Sequence, residues 1–374
     1  MADPRHLTEP DPARLTPPDR PDFLVTVPTR GDGRDPLRRD RGDWQLAARR
    51  PLPPFVTDLR PGAFGPFDHL AQIGRAAEIA TVGGALVPYD PAGEEALVVA
   101  AQLLRDSRHL RVVAGFHPLV ATPVYAAKFS ASLQRFTGDR LGWQVEVDLE
   151  PALARAQGDF LEGPDRYVRA DEFLTVAKGV WHEEGYTYEG RFYQVLAGGF
   201  QAPNTGLPFP RVYLRGTSPE AFALSARHAD VHLFTPEDDI DAGVAHLSAL
   251  AAGEGRRVAH GLRLPVLARD DDDEAWDEAR RLWTLAGGDA AGLPDPDPRT
   301  GLWPGFGRIT AASPGSGGTL GLVGSYETVA AGVRGHLERG VTTFVLDARP
   351  AIEETYRLGE RLLPLLAKED EHVR

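Results

Sequence analysis

The sequence predicts a (β/α)₈ barrel, formed as one α/β domain over residues 22–374. Eight short apolar segments alternate with stretches of helical periodicity, which is the pattern of parallel strands buried on both faces. A length of 374 residues suits one such barrel with insertions. The competing architecture is a doubly wound sheet. Its dinucleotide-binding version is disfavoured because no Gly-x-Gly-x-x-Gly turn follows an early strand.

The strand segments are short and rich in aliphatic residues. They lie at residues 23–27, 85–87, 110–116, 141–147, 211–215, 231–234, 262–268 and 342–346. Helical spacing is found at residues 67–80, 94–105, 165–182, 327–339 and 351–366. Thr122 with Pro123 predicts another helix start, and Gly190 predicts the turn of a small hairpin. In a barrel the active site lies in the loops after the strands.

Composition excludes several classes of function. The formal net charge is −13, so a nucleic-acid-binding role, which needs a basic face, is not expected. The chain has no cysteine, which excludes disulfides, thiol nucleophiles and thiolate-ligated metals. We predict no metal site. The N-terminus lacks an apolar signal-peptide core and no run is long enough to span a membrane, so we expect a cytoplasmic protein.

Three segments lie outside the repeating strand and helix pattern. Residues 1–21 are rich in Pro, Asp and Arg, which predicts a loose N-terminal arm. An insert at about residues 34–66 is either functional or disordered. A second insert at about 287–318 is dense in Gly and Pro and contains Trp303 and Phe306. We interpret it as a mobile lid, with a disordered surface insertion as the alternative.

The most informative stretch runs from Leu207 to Phe234. A strand over residues 211–215 is followed by Gly216, which allows a sharp turn, and then by Thr217, Ser218 and Pro219. A hydroxyl residue followed by proline is typical of a helix N-terminus. The free N–H groups and the dipole at such a terminus favour an anion such as a phosphate. An ordinary capped helix without a ligand is the alternative reading of these residues alone.

Several motifs resemble those of the bacterial luciferase-like FMN-dependent monooxygenases, and the alkanesulfonate monooxygenase branch in particular. They are Pro-Asp-Arg-Tyr-Val-Arg-Ala-Asp-Glu-Phe at 164–173, Gly-Thr-Ser at 216–218, Leu-Trp-Pro-Gly-Phe-Gly at 302–307, Gly-Gly-Thr-Leu-Gly-Leu-Val-Gly at 317–324 and Ile-Glu-Glu-Thr-Tyr-Arg-Leu-Gly-Glu at 352–360. The resemblance covers residues 23–366 apart from the 34–66 insert. It implies the barrel fold and a phosphate site formed by Tyr167, Gly216, Thr217 and Ser218.

The same resemblance implies the chemistry. Members of this family use reduced FMN, supplied by a separate flavin reductase, together with O₂ to oxygenate a small organic substrate. We expect the chain to do the same, as an oligomer of identical subunits with no membrane partner. The task requires walls that exclude water and a proton donor or base within hydrogen-bond reach. Arg30, His117, Arg263 and Tyr356 are the candidate catalytic residues.

The chain departs from the alkanesulfonate branch where the substrate should bind. Gly93, Thr235 and Pro265 stand where those enzymes have a cysteine, a tryptophan and a histidine, and Arg30 replaces another histidine. We therefore expect a non-alkanesulfonate substrate, larger and acidic or polar, which Arg30 and Arg263 could hold.

Two further functions stay open. The chain could be a catalytically silent partner subunit of a luciferase-like heteromer, although such a subunit has no need of an anion site. It could also be a deazaflavin-dependent oxidoreductase on the same barrel, which the lid motifs disfavour.

Overall fold

The computed structural model describes residues 20–29, 66–310 and 318–367. Nearly all of the predicted arm, nearly all of the first insert and Arg30 therefore lie outside the described residues. Within the described ranges the strands are β1 (Asp22–Thr26), β2 (Gly84–Val87), β3 (Arg111–Phe116), β4 (Leu141–Val145), β5 (Tyr186–Glu189), β6 (Gln194–Gly198), β7 (Arg211–Arg215), β8 (Val231–Phe234), β9 (Ala259–Arg269), β10 (Leu302–Trp303), β11 (Gly321–Ser325) and β12 (Val341–Asp347).

Eight of these strands close into a parallel barrel, which confirms the predicted fold. Their order around the barrel is β1, β2, β3, β4, β7, β8, β9 and β12, and β12 pairs with β1 to close the ring. Each barrel strand corresponds to a predicted segment. The largest difference is β9, which begins at Ala259 and is long enough to pair with β11 as well.

The helices pack outside the barrel between successive strands. They are α1 (Pro66–Ile79), α2 (Ala96–Asp106), α3 (Pro123–Thr137), α4 (Pro151–Ala156), α5 (Asp165–His182), α6 (Pro219–His228), α7 (Ile240–Gly253), α8 (Asp272–Leu285), α9 (Phe306–Thr310), α10 (Tyr326–Glu338), α11 (Ala351–Arg357) and α12 (Leu363–Ala367). The predicted helix 165–182 matches α5 at both ends. The predicted last helix is instead divided by a π-helical turn at Leu358–Leu362. No helix in the described ranges is both long and apolar enough to cross a membrane.

The barrel interior changes from apolar to polar along the strands. One cluster of buried side chains fills its lower part: Leu24, Leu86, Val113, Tyr213, Val231, Leu233 and Val345. Because side chains alternate along a strand, the residue two positions further on faces the same interior. On β1, β7 and β12 those residues are Thr26, Arg215 and Asp347. A polar layer therefore lies at the carboxyl ends of the strands, the end where barrel enzymes bind their ligands.

The segment predicted as a mobile lid is largely packed in its described part. Trp303 is fully buried, donates its indole N–H to Pro294 O over 2.8 Å, and contacts Trp276 and Phe306 edge to face. These residues form a small core with α8 and β11. Trp303 and Phe306 therefore pack against α8 of the same chain. Residues 311–317 of the predicted lid lie outside the described part.

Candidate active site at the barrel mouth

The centre of the polar layer is Glu146, one residue beyond the end of β4. Its side chain is buried, with 5% of the residue exposed. Oε1 accepts a hydrogen bond from Gln144 Nε2 at 2.6 Å, and Oε2 accepts one from Arg215 Nε at 2.7 Å. The bond with Arg215 crosses from β4 to the neighbouring β7. A buried carboxylate needs such partners, because an unpaired buried charge is strongly destabilising.

Arg263 and Asp347 face the same interior from β9 and β12. Arg263 lies two residues beyond Gly261, whose Cβ position faces Leu233 and Val231 of the interior cluster. Burial lowers the pKa of Arg263, and the negative charge of Asp347 acts in the opposite direction. Asp347 is also buried, and its Oδ2 has no hydrogen-bond partner among the described residues. The mouth therefore holds two arginines and two carboxylates.

The predicted anion site lies immediately above this layer. Ser218 caps α6, since its Oγ accepts a hydrogen bond from Ala221 N at 3.1 Å, and it also donates to the hydroxyl of Tyr167 at 3.1 Å. Gly216 has a φ of +112°, a conformation suited to glycine. A Cβ atom there would lie 3.6 Å from the Tyr167 hydroxyl. Three of the four predicted residues thus converge, while the Thr217 side chain is exposed.

Sequence reasoning missed a carboxylate in this anion site. The Tyr167 hydroxyl donates a short hydrogen bond to Asp148 Oδ2, and Arg166 lies 3.5 Å from the other carboxylate oxygen. Burial and this bond to Asp148 raise the pKa of Tyr167. The residue was overlooked because the strand prediction extended to Val147, and the loop after it carried no recognised motif. The positive charge of Arg166 offsets the negative charge that Asp148 brings to the site.

His117 is enclosed by an ion pair behind the mouth, so it is not a solvated loop histidine. Arg169 makes two hydrogen bonds to Asp159, of 2.9 and 2.6 Å, and His117 Nε2 lies 3.3 Å from Asp159 Oδ2. Leu119 N donates to His117 Nδ1, which leaves the proton of the neutral ring on Nε2, facing Asp159. Burial, assisted by Arg169, lowers the pKa of His117 to about 4. Its proton is thus engaged in holding the loop after β3.

The other residues singled out in the sequence make no described contact with the polar layer. Tyr356 is half-buried on α11, the helix after the last barrel strand, and Arg30 lies outside the described residues. Gly93 packs so closely on Thr29 that a Cβ atom would come within 2.2 Å of its Oγ1. Thr235 bonds to Asp238 through both its N–H and its hydroxyl. In the described ranges no group of three or more acidic or histidine side chains could hold a metal ion.

The chain matches the model of a known protein family. Residues 52–343 match the family model of the luciferase-like monooxygenases. Among solved structures, EDTA monooxygenase from Chelativorans sp. BNC1 shares 17% identity at a TM-score of 0.68, with 94% of each chain covered. The FMN-bound oxygenating constituent of 3,6-diketocamphane monooxygenase from Pseudomonas putida shares 14% identity at 0.64, covering 92% of this chain and 98% of that one.

An F420-dependent secondary alcohol dehydrogenase also shares the fold, at 13% identity and a TM-score of 0.62, with 91% of this chain and 98% of that chain covered. Likeness at these identities establishes the barrel and leaves flavin type and substrate open. The family match covers most of the chain, including β4, β7 and β9 with Glu146, Arg215 and Arg263, and the capped turn after β7. The chain belongs to the luciferase-like monooxygenase family.

Proposed function

We propose that the chain is a flavin-dependent monooxygenase that uses reduced FMN, delivered by a separate flavin reductase, and O₂ to oxygenate a small organic substrate. The supporting observation is the set of buried polar side chains at the barrel mouth. Two of its acceptors, Gln144 Oε1 and Asp347 Oδ2, have no partner among the described residues. Buried polar atoms are nearly always bonded, so unpaired ones at an enzyme's ligand-binding end favour a ligand that pairs with them.

The residues present fit FMN. Ser218 and the N–H groups at the start of α6 would hold the phosphate, with the Tyr167 hydroxyl beside them. Asp148 opposes this binding, but its pairing with Arg166 reduces its charge and the exposed carboxylate has room to turn aside. Gln144, Arg215 and Arg263 would line the ring. Reduced flavin supplies the electrons with which O₂ is activated.

The residues of the chain then bind and orient the flavin and the substrate, and they exclude water from the site. The apolar cluster below the mouth closes the barrel floor, so a ring above it is shielded from one side. The buried Arg263 brings positive charge to a site of low dielectric constant, where it stabilises developing negative charge more strongly than in water. Arg215, whose side chain is 41% exposed, adds positive charge at the solvent side of the mouth. His117 holds the loop after β3 and, being neutral and bonded, is assigned to positioning.

We further propose that alkanesulfonates are not the substrates. The Gly93 position cannot accept a larger side chain without displacing Thr29, and the hydroxyl of Thr235 is used within its own loop. The branch's cysteine and tryptophan therefore have no counterparts here. Sulfite release from simple alkanesulfonates, measured with a flavin reductase present, should stay at background. Rapid sulfite release would contradict this substrate proposal alone.

The test of the proposed function is anaerobic titration with oxidised FMN, reduced FMN and reduced F420, followed by rapid mixing with O₂. We expect tighter binding of reduced FMN and a transient absorbance change on adding O₂. Preference for reduced F420 would favour the deazaflavin-dependent oxidoreductase, a class that shares this fold. Failure to bind any of the three would favour the silent partner subunit.

A further inference from the structure

Glu146 determines which way the side-chain amide of Gln144 points. A carboxylate only accepts hydrogen bonds, so the group 2.6 Å from Glu146 Oε1 must be the amide nitrogen of Gln144. The amide oxygen then faces away from Glu146. Gln144 is fully buried, and its oxygen has no partner in the part of the chain that the structure describes. The pairing thus presents an unbonded acceptor within the barrel.

The direction of that acceptor follows from the strand. Gly142, two residues earlier on β4, would place a Cβ against Val113 and Tyr213 of the interior cluster. Alternation puts Gln144 and Glu146 on the same inner face. Tyr213 is the β7 residue opposite Gln144, so Arg215 is the next inward residue above it. Gln144 and Arg215 therefore face the same interior from neighbouring strands, and both are bonded to Glu146.

We propose that Glu146 is a positioning residue that fixes the Gln144 amide with its oxygen toward the barrel axis, where that oxygen accepts the N3–H of a bound isoalloxazine ring. This proposal rests on the flavin site proposed above. The oxidised ring carries a single N–H donor, at N3, between two carbonyl oxygens. An acceptor next to a guanidinium complements that edge, because the bond to Glu146 uses Nε of Arg215 and the terminal amino groups remain donors.

The proposal predicts selectivity against a flavin that lacks this donor. An unpaired buried acceptor is costly, so a ligand that cannot donate should bind at least about tenfold more weakly. In Glu146→Gln the residue at 146 can either donate to the Gln144 oxygen or accept from the Gln144 amide nitrogen, so both orientations of that amide can be bonded. The orientation of Gln144 is then no longer fixed, and the selectivity should fall.

The experiment measures dissociation constants of FMN and 3-methyl-FMN by fluorescence quenching, in the wild type, Gln144→Ala, Glu146→Gln and Asp148→Asn. The measured quantity is the ratio of the two constants. We expect a ratio of about ten or more in the wild type, and of about three or less in Gln144→Ala and Glu146→Gln. Asp148→Asn is the matched control, since Asp148 lies in the phosphate site. It should change both constants equally and leave the ratio unchanged.

The outcomes separate the two proposals. A wild-type ratio near one, or a high ratio that persists in either Gln144→Ala or Glu146→Gln, overturns the role assigned to Glu146 while flavin binding stands. A wild type that binds neither flavin overturns the flavin site and this inference with it. Gln144→Ala creates a cavity in the barrel interior and could destabilise the fold. Glu146→Gln conserves the side-chain volume and is the second variant if the first does not fold.

Discussion

The carboxylate clusters around Asp159 and around Glu146 are both buried, and they differ in whether their acceptors are filled. In the cluster behind the mouth, both oxygens of Asp159 are used, by Arg169, His117 and the backbone N–H of Leu161. In the mouth cluster, Glu146 is paired but Gln144 Oε1 and Asp347 Oδ2 are left without partners among the described residues. We infer that the first cluster supports the fold, whereas the second belongs to the proposed flavin site.

The largest effect should come from breaking the filled cluster. Arg169→Met leaves Asp159 buried without its main counter-charge, so we expect a loss of about 3–5 kcal/mol in the free energy of unfolding, measured by urea denaturation. Arg191→Met is the control, because its ion pair with Asp165 is exposed and should change the free energy of unfolding far less than Arg169→Met does. Equal losses in the two variants would contradict the structural role of the Asp159 cluster.

The second-largest effect is expected on the dissociation constant of FMN when Ser218 is replaced. Ser218→Ala removes a hydroxyl from the proposed phosphate site, so the FMN dissociation constant should rise about tenfold while that of riboflavin stays the same. The control is Ser325→Ala, which removes an equivalent cap from α10, where Ser325 Oγ accepts from Thr328 N at 3.1 Å. Both variants should lose about 1 kcal/mol of stability. A weaker affinity for FMN in both, or in neither, would remove the phosphate assignment.

A smaller effect concerns pH and the filled cluster. The pKa of His117 is lowered to about 4, mainly by burial, whereas the unfolded value is near 6.5. Because the folded state resists protonation, the stability this group confers is complete above pH 6.5 and is lost as the pH falls toward 4. Between pH 7.5 and 5.5 the wild type should therefore lose about 1 kcal/mol more than His117→Gln. His109→Gln, in an exposed loop, is the control; a wild-type loss equal to that of His117→Gln would contradict the assignment.

The smallest predicted effect lies at the rim of the mouth. Glu237, in the loop after β8, accepts hydrogen bonds from Leu320 N at 2.9 Å and from the hydroxyl of Thr319 at 2.7 Å. Glu237→Gln replaces a charged acceptor by a neutral one, so proteolysis near residues 318–320 should accelerate by a few-fold. Glu254→Gln, at the exposed end of α7, should leave the cleavage rate unchanged. If both variants are cleaved at the wild-type rate, Glu237 does not anchor this segment.

The sequence predicted the barrel better than the site. Apolar runs identify buried strands without any tertiary information, and the Ser218-Pro219 start of α6 is encoded locally. Glu146 and Asp148 could not be found this way, because their partners are set by the pairing of β4 with β7 and by the position of α5. β11 was missed because Gly321–Ser325 is short and glycine-containing, and its pairing depends on the length of β9.

A crystal structure of the FMN complex is the decisive test of flavin binding at the polar mouth of the barrel. We predict the ring at the carboxyl ends of the strands beside Gln144 and Arg215, with the phosphate at Ser218. A second concave site lies at the opposite end, lined by Trp181, His182, Phe200 and Leu207. FMN bound there, or anywhere away from the polar mouth, would contradict the account.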